Sequence, residues 1–546
     1  MPQTYDYIIV GAGSAGCVLA NRLSANGRFE VLVIEAGTKD RHPYIHIPGA
    51  YPKLHGSKHD WQLWTEPQEH VDGRRIYLPR GKTLGGSSST NAMAYVRGNQ
   101  GDYNDWQKLG CTGWGFNEVL PYFKKSEGNM NLTQLDEGFH SEGGEMGVGY
   151  AQYFESPLAQ AFIDAAGQAG LPGDKDYNGA KQNATTRFQF TIKNGKRQST
   201  AVAFLKPVLH RKNLHVLTGH QVQEVLINDQ KAAGVKVVSK NGSYQTINCQ
   251  KEVILSAGSF HSPQILQLSG IGSREELKHN NIDTKVDLPG VGKNLQDHLF
   301  YFVSAYTHNK VGFNHHCTNL HQVKDIIGYL THKKNPLSCS PLEAVSFFNI
   351  DDYNERVNFQ FHFAPFHIND GRNENLYDFA TVPTLKDGVT ICPSLLHPKS
   401  RGSVSIKSSD IRSTPVIQPN FLSVEEDLMQ LIKGGRIAMD VYGQSAFKKY
   451  IKEPIEISSE SSDDEMARYI KRRLETIYHP VGTCKMGIDD MSVVDPTLKV
   501  RAVDGLRVID GSIMPTIVSG NTNAPIIMIA EKGADMILSA ADVGMV

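Results

Sequence analysis

The feature that most constrains this chain is the stretch YIIVGAGSAG at residues 7–16, where an apolar run ends in three closely spaced glycines. Gly11, Gly13 and Gly16 permit a tight turn from a buried strand into a helix, and they let backbone N–H groups approach a pyrophosphate. The next apolar run ends in Glu35, whose carboxylate is placed to accept hydrogen bonds from ribose hydroxyls. Together these features predict a dinucleotide-binding βαβ unit.

Four short apolar runs define the predicted sheet. YIIV, VLVIE, EVILSAG and LRVID are rich in Val and Ile, and each ends at a glycine or another small residue, as is typical of buried parallel strands. Because the runs lie near both ends and in the middle of 546 residues, the sheet is expected to be discontinuous in sequence. A chain this long exceeds one core, and residues 310–461, which are poorer in such runs, are predicted to form a second domain.

Charge and cysteine usage exclude several classes of protein. Lys and Arg number 56 against 57 Asp and Glu, so no basic field exists to gather nucleic acid. The seven cysteines are scattered and never form C-x-x-C, which predicts reduced thiols.

The N-terminus lacks a basic segment and a cleavage site, and no run reaches the ~18 apolar residues of a spanning helix. We therefore expect a cytoplasmic protein, and peripheral contact with the inner membrane is compatible with these features.

A second glycine-rich segment bears on the kind of dinucleotide. The first motif alone leaves both NAD and FAD open. In PRGKTLGGSSSTNAMAYVRG the small residues from Gly81 to Ala94 would let the backbone lie against a large flat ligand. The embedded Leu84, Met93 and Tyr95 argue against a surface linker. A buried flavin is therefore favoured over a nicotinamide.

Six longer motifs occur along the chain: GKTLGGSSSTNAMAYVRGNQGDYNDW, GSFHSPQILQLSGIG, HPVGTC, LPGVGKNLQDH, LHPKSRGSVSI and DGSIMPTIVSGNTNAPIIMIAEK. Over nearly the whole chain they resemble those of the glucose-methanol-choline family of FAD-dependent oxidoreductases. The resemblance implies a two-domain α/β (α+β) fold. Its Rossmann-like FAD-binding domain, with the discontinuous parallel sheet, would comprise residues 1–157, 195–309 and 462–546. Residues 158–194 and 310–461 would form a substrate-binding domain with an antiparallel sheet flanked by helices.

The resemblance also implies cofactor-binding residues. The first glycine motif and Glu35 would hold the ADP half, Val222 would lie near the adenine, and Asp510 near the ribityl chain and pyrophosphate. At Thr90 some choline-oxidising members carry a histidine bonded covalently to FAD; threonine cannot form that bond, so non-covalent FAD is expected. The implied cofactor-binding residues are Gly11, Gly13, Ser14, Ala15, Gly16, Glu35, Ala36, Gly86, Asn91, Ala92, Met93, Ala94, Val222, Ala257, Asp510, Gly511, Thr522 and Asn523.

The stretch ETIYHPVGTCKMG raises three interpretations of His479 and Cys484. No second cluster of ligand-like residues accompanies them, so we predict no metal site. Cys484 has no evident orienting acid and is interpreted as a small buried hydrophobe. Imidazole can remove a hydroxyl proton near neutral pH, although a lone histidine, taken on spacing alone, is more often structural than catalytic. By the resemblance, His479 aligns with the family's active-site base and Asn521 with its His or Asn partner.

These residues lead to a functional hypothesis. A primary alcohol, aliphatic or aromatic, would lose its hydroxyl proton to His479 and its α-hydride to flavin N5, giving the aldehyde. Choline dehydrogenase is an alternative, for which Glu343 and nearby aromatic runs could supply a site for the ammonium group. An alcohol oxidase using oxygen, a non-redox hydroxynitrile lyase and a nicotinamide-dependent enzyme are the others. The electron acceptor is expected to be a quinone or oxygen, and the oligomeric state is not predicted.

Overall fold

The computed structural model describes residues 4–367 and 386–543, which are organised around two large sheets. Strand pairing in the first sheet follows the order β10-β2-β1-β13-β12-β11, and β25 also pairs with β13. Its strands are β1 (Thr4–Val10), β2 (Val31–Glu35), β10 (Leu214–Thr218), β11 (His220–Asn228), β12 (Lys231–Ser239), β13 (Tyr244–Leu255) and β25 (Leu506–Val508).

The four apolar runs pair in parallel in this sheet, as predicted, and β10 adds a further parallel strand beside β2 that was not predicted. β1 pairs in parallel with β2 and β13, and β25 pairs in parallel with the end of β13. β13 is long enough to serve two purposes, since its first half pairs antiparallel with β12. The β11–β12 hairpin that extends the sheet was not predicted from the sequence.

Twelve α-helices lie within the described residues. Local sequence accounts for two helix starts: Ser462 and Glu465 form a reciprocal capping box, and Pro525 lies in the first turn of the last helix. The helices are α1 (Ser14–Leu23), α2 (Pro43–His46), α3 (Gln100–Lys108), α4 (Phe116–Ser126), α5 (Pro157–Gln168), α6 (Gly258–Leu268), α7 (Arg274–His279), α8 (Asn319–Thr331), α9 (Glu425–Gly443), α10 (Ser445–Lys448), α11 (Asp463–Arg473) and α12 (Asn523–Val543).

The second sheet is antiparallel throughout, in agreement with the predicted fold class. Side chains alternate across it: Phe359, Phe361 and Phe363 pack in one core with α5, α9 and α11, whereas Gln360 and His362 point to the opposite face. Its strands are β7 (Ala184–Arg187), β16 (Leu299–Phe300), β17 (Val303–Thr307), β18 (Ala344–Phe348), β19 (Phe359–Ala364), β20 (Gly388–Leu395), β23 (Ile451–Ile455) and β24 (Glu475–Thr476).

The predicted domain boundaries stay a prediction, although strand pairing bears on them. β16, β17 and β24 lie in ranges assigned to the FAD-binding domain, yet they pair within the second sheet. We therefore propose that the chain crosses between domains near residues 298 and 475.

Short two-stranded ribbons complete the described structure. No helix in residues 4–367 and 386–543 is long and apolar enough to cross a membrane. All seven cysteines are free, and Cys484 is fully buried. The ribbon strands are β3 (Leu63–Trp64), β4 (Tyr77–Leu78), β5 (Glu127–Asn129), β6 (Met146–Val148), β8 (Ile192–Lys193), β9 (Lys196–Arg197), β14 (Ile271–Gly272), β15 (Val286–Asp287), β21 (Ser403–Ser405) and β22 (Val416–Gln418).

Candidate active site

A long cleft opens at the carboxyl ends of the parallel strands, where α/β sheets bind their ligands. The empty volume of the cleft is about 1010 Å³, including the part that opens to solvent. Residues that follow β1, β2, β13 and β25 line it, so the fold brings distant parts of the sequence to one place. The predicted cofactor-binding residues that line the cleft are Gly11, Gly13, Ser14, Ala15, Glu35, Ala36, Gly86, Val222, Ala257, Asp510, Gly511 and Thr522.

Glycines give the floor of the cleft its flat backbone surface. Gly11 turns the chain at φ +99°, and a Cβ on Gly16 would lie 1.9 Å from the Gly11 carbonyl oxygen. Gly86 has φ +51°, and a Cβ there would lie 2.7 Å from the Cα of Gly13. The second glycine-rich segment therefore packs directly on the first motif, and larger residues would block that contact.

Glu35 and Asp510 are held in place by backbone N–H donors. Glu35 accepts hydrogen bonds from the N–H groups of Ala12 at 2.9 Å and Gly37 at 2.7 Å. Burial raises the pKa of Glu35 to about 7, and those two donors oppose the shift. Asp510 accepts from the N–H of Gly258 at 2.8 Å, which fixes the start of α6 beside the cleft. Each carboxylate keeps lone pairs that could accept hydroxyl hydrogens of a bound dinucleotide.

The remaining predicted cofactor-binding residues do not line the cleft. Gly16 lies beneath it, and Asn523 accepts a hydrogen bond from the Ser14 hydroxyl at 2.8 Å, joining α12 to α1. Asn91 accepts from Arg197 Nη1 at 2.7 Å. Ala92, Met93 and Ala94 pack in or against an apolar cluster whose aromatic side chains include Tyr177 and Phe347.

Several cleft residues were missed from the sequence. The rings of Trp61 and His261 lie 4.2 Å apart, and Lys82 Nζ is 4.1 Å from the Trp61 ring. Arg80 also lines the cleft and is partly buried. Arg80, Lys82 and His261 lie within motifs quoted above, whereas Trp61 lies outside them.

The structure brings His479 and Asn521 together at the end of this cleft. Asn521 Nδ2 lies 3.2 Å from His479 Nε2, and the neighbouring residues Pro480 and Thr522 line the cleft itself. The Oδ1 of Asn521 is buried, with no hydrogen-bond partner among the described residues. This oxygen is therefore available to a small ligand, whose hydroxyl would compete with the Asn521 amide N–H for His479 Nε2.

Two groups from other parts of the chain position the His479 backbone. The N–H of His479 donates to Asp297 Oδ1 at 2.7 Å, and Arg80 donates to the carbonyl oxygen of Tyr478. Tyr478 has φ +66°, a conformation that side-chain-bearing residues rarely adopt and that surrounding contacts must maintain. The strained turn directs the imidazole toward the cleft end.

A second histidine, His298, contacts the first. Its Nδ1 lies 2.9 Å from His479 Nδ1, and the two rings are nearly perpendicular at 88°. Burial lowers the pKa of His298 to about 3, opposed by the backbone carbonyls of Leu396 and Val518. Nε2 of His298 is buried and has no hydrogen-bond partner among the described residues. We assign the proton of neutral His298 to Nε2, since this tautomer lets Nδ1 accept a hydrogen bond from His479. His298 Nδ1 then accepts from the Nδ1–H of His479, which leaves the lone pair of His479 on Nε2.

His479 is neutral at physiological pH. Burial lowers its pKa well below the ordinary value of 6.5, and the nearby His298, His362 and Arg80 lower it further. A neutral imidazole whose Nε2 lone pair lies beside the Asn521 amide at the cleft end is the form that a general base requires.

The inner face of the second sheet forms the wall beside His479. Gln360 and His362 lie on that face, and His362 is near enough to His479 to lower its pKa. Both amide atoms of Gln360 and Nε2 of His362 are buried without a hydrogen-bond partner among the described residues. Phe300 and Phe302 supply apolar surface in a cluster with Cys392 and the partly buried Ile477.

Comparison with known proteins identifies the family of this chain. Family models described as GMC oxidoreductase match residues 5–300 and 398–530. The chain belongs to the GMC oxidoreductase family. Among GMC relatives, it is 41% identical over 545 residues to "Alcohol dehydrogenase [acceptor]" of Pseudomonas putida, a match covering 98% of the chain and 96% of the relative. It is 40% identical over 547 residues to "Oxygen-dependent choline dehydrogenase" of Photobacterium profundum, covering 98% and 94% respectively.

Solved structures show the same GMC fold. The FAD-dependent oxidoreductase from Chaetomium thermophilum superposes with a TM-score of 0.89 at 26% identity, covering 98% of this chain and 100% of that one. The predicted family and fold class are thereby confirmed. Membership in the GMC family implies FAD as the cofactor, in preference to a nicotinamide.

Proposed function

We propose that this protein is an FAD-dependent oxidoreductase that oxidises a neutral primary alcohol to the aldehyde. The observation that carries the proposal is the pairing of His479 and Asn521 at the end of a dinucleotide-sized cleft, with the lone pair of His479 Nε2 directed to that end. The alcohol dehydrogenase of Pseudomonas putida, similar over nearly its full length, also supports it.

The residues of the cleft fit FAD. Glu35 and the glycine floor would hold the ADP half, and the segment around Gly86 would hold the flavin end. Bound FAD supplies the two-electron acceptor of the reaction. The threonine at position 90 cannot form the covalent bond that a histidine forms in some relatives, so we propose that FAD is held non-covalently.

His479 and Asn521 would handle the substrate hydroxyl. His479 Nε2 accepts its proton, while Asn521 Oδ1 or Nδ2 orients the oxygen so that the α-carbon is fixed in place. Asn521 is well suited to this role because its Oδ1 has no other partner among the described residues. Burial of His479 excludes bulk water, which keeps the base neutral until the alcohol binds.

Electrostatics around His479 favour a neutral alcohol over choline. The groups that shift its pKa, His298, His362 and Arg80, all disfavour positive charge. The carboxylate of Asp297 accepts a hydrogen bond from the His479 N–H and also interacts electrostatically with the Arg80 guanidinium. A quaternary ammonium would need aromatic faces and an unpaired anion. Glu343, the anion considered from the sequence, instead accepts a hydrogen bond from the Ser156 N–H at 3.0 Å.

The acceptor and location remain proposals. We favour a quinone over oxygen, on the similarity to the Pseudomonas putida alcohol dehydrogenase whose name specifies an acceptor. A cytoplasmic location with contact to the inner membrane stays the prediction made from the sequence.

Anaerobic reduction of the FAD-loaded protein tests the proposal. A medium-chain primary alcohol should bleach the flavin absorbance, and choline in a parallel cell should bleach it more slowly. His479→Ala should lower the bleaching rate by about 10²–10⁴, the range typical of a general base, while FAD stays bound. His210→Ala, at an exposed site, is the matched control. Unchanged reduction in His479→Ala would falsify the assignment, and a yellow protein that cleaves cyanohydrins without bleaching would establish the lyase alternative.

A further inference from the structure

Helix α8 carries an unusual group of exposed apolar side chains, here called the α8 apolar face. Its members are between 49% and 75% exposed. Their spacing of three and four residues places them on one side of the helix. The other exposed large hydrophobic side chains within residues 4–367 and 386–543 are spread over five separate segments. The α8 apolar face consists of Leu320, Val323, Ile326, Ile327 and Leu330.

The opposite side of α8 is fixed to the protein. Tyr329 is buried, and its hydroxyl donates to the carbonyl oxygen of Gly195 at 2.8 Å. The carboxylate of Asp325 lies 2.7 Å from His316 Nδ1, and the Asn335 amide donates to the Asp325 carbonyl oxygen at 2.6 Å. The helix therefore has its own anchoring contacts, and these contacts turn the apolar face outward. A contiguous apolar patch of this kind marks a site of association.

Basic side chains border the α8 apolar face. The segment from α8 to residue 334 contains Lys324, Lys333 and Lys334, and Asp325 is its only acid. That acid is already paired with a histidine. A fourth lysine, Lys53, donates to a glutamine side chain of the helix at 3.2 Å. The surface thus combines an apolar stripe with a positively charged border.

We propose that the α8 apolar face docks on the surface of an anionic lipid membrane. A helix of this pattern lies in the plane of the interface, with its apolar side among the acyl chains and its lysines at the negatively charged headgroups. A second copy of the chain is a poorer partner, because a symmetric contact would bring two basic borders together. The proposal does not depend on alcohol oxidation or on the identity of the substrate.

Vesicle co-sedimentation of the full-length, FAD-loaded protein tests this docking. The probes are vesicles of phosphatidylcholine alone and of phosphatidylcholine mixed with phosphatidylglycerol. The wild type should sediment with the mixed vesicles, and Ile327→Ser/Leu330→Ser should bind them at least about tenfold more weakly. Lys324→Glu should weaken binding, and added salt should do the same to the wild type. Met429→Ser, at an exposed apolar position elsewhere, should bind as the wild type does.

Two controls separate docking from misfolding and from catalysis. Equal flavin content and Tm in all variants would show that they fold alike. Alcohol oxidation with a soluble dye as acceptor, assayed without vesicles, should be the same in every variant, so failure of the proposed reaction is detected independently. A wild type that stays in the supernatant with both vesicle types would overturn the proposal. So would a wild-type dimer that binds no vesicles and that Ile327→Ser/Leu330→Ser dissociates, since the face would then bind a second copy.

Discussion

Replacing His298 by alanine tests how the proposed base is prepared for reaction. His298 does not line the cleft, and its described contact with the site is the 2.9 Å hydrogen bond to His479 Nδ1. Its removal leaves a buried N–H donor without a partner, which costs about 1–3 kcal/mol. If that penalty falls on the reactive tautomer of His479, flavin reduction slows by about 5- to 150-fold at 1.36 kcal/mol per tenfold. We expect FAD affinity to be unchanged.

The assay is anaerobic stopped-flow reduction of the flavin at saturating alcohol, with FAD affinity measured separately by flavin fluorescence. His298→Asn is the matched variant, because its Oδ1 is bonded to Cγ as the histidine Nδ1 is and can accept the same hydrogen bond. A hydrogen-bonding role predicts that His298→Asn recovers most of the rate lost in His298→Ala. Equal impairment of both variants, or a wild-type rate in His298→Ala, would refute the reasoning.

Three further predictions concern pH, stability and the cofactor site. Burial, two neighbouring histidines and Arg80 lower the pKa of His479 below 6.5. The rate of flavin reduction should therefore stay constant as the pH falls from 7.5 to about 6.5, and a decline centred above pH 6.5 would contradict this. Burial raises the pKa of Glu343 to about 8, so the native state keeps a proton that the unfolded chain loses above its ordinary pKa of 4.5. The free energy of unfolding should therefore fall as the pH rises from 4.5 to about 8. In thermal unfolding, Glu343→Gln should have a higher Tm than the wild type at pH 8.5 and the same Tm at pH 4. Gly86→Ala would place a Cβ 2.7 Å from Gly13 Cα at a residue with φ +51°. It should weaken FAD binding by about tenfold or more in a fluorescence titration. Unchanged affinity would contradict the role assigned to the glycines at the floor of the cleft.

The parallel strands can be predicted from the sequence because each strand is specified by its own short run of residues. Each run that ends in Val10, Glu35, Leu255 or Val508 finishes in three or more consecutive buried residues and is followed by a short turn or small residue. The β11–β12 hairpin was missed because its strands mix polar with apolar residues and are only partly buried. Their pairing depends on contacts that no single run specifies.

The candidate site is predicted only in part, because its chemistry depends on long-range contacts. His479 and Asn521 could be named from motifs, whereas the roles of Asp297 and His298 could not, although the motif NLQDH contains both. The His298 contact joins residues 181 positions apart in the chain. One signal was available for the sheet wall: FQFHF alternates with period two, which predicts that Gln360 and its neighbouring histidine share a face.

The low pKa of His479 sets a requirement that the rest of the site must meet. A general base with a low pKa is neutral before the reaction, as it must be, but it must still hold the substrate proton as the reaction proceeds. When Nε2 takes the hydroxyl proton, the hydrogen bond from Nδ1–H to His298 becomes charge-assisted and therefore stronger than in the resting site. His298, His362 and Arg80 all lower the pKa of His479, so their electrostatic effect on the protonated base opposes this gain. Only the hydrogen-bond part of the His298 contact can stabilise the protonated base more than the neutral one, and that differential effect is what His298→Asn would retain and His298→Ala would lose.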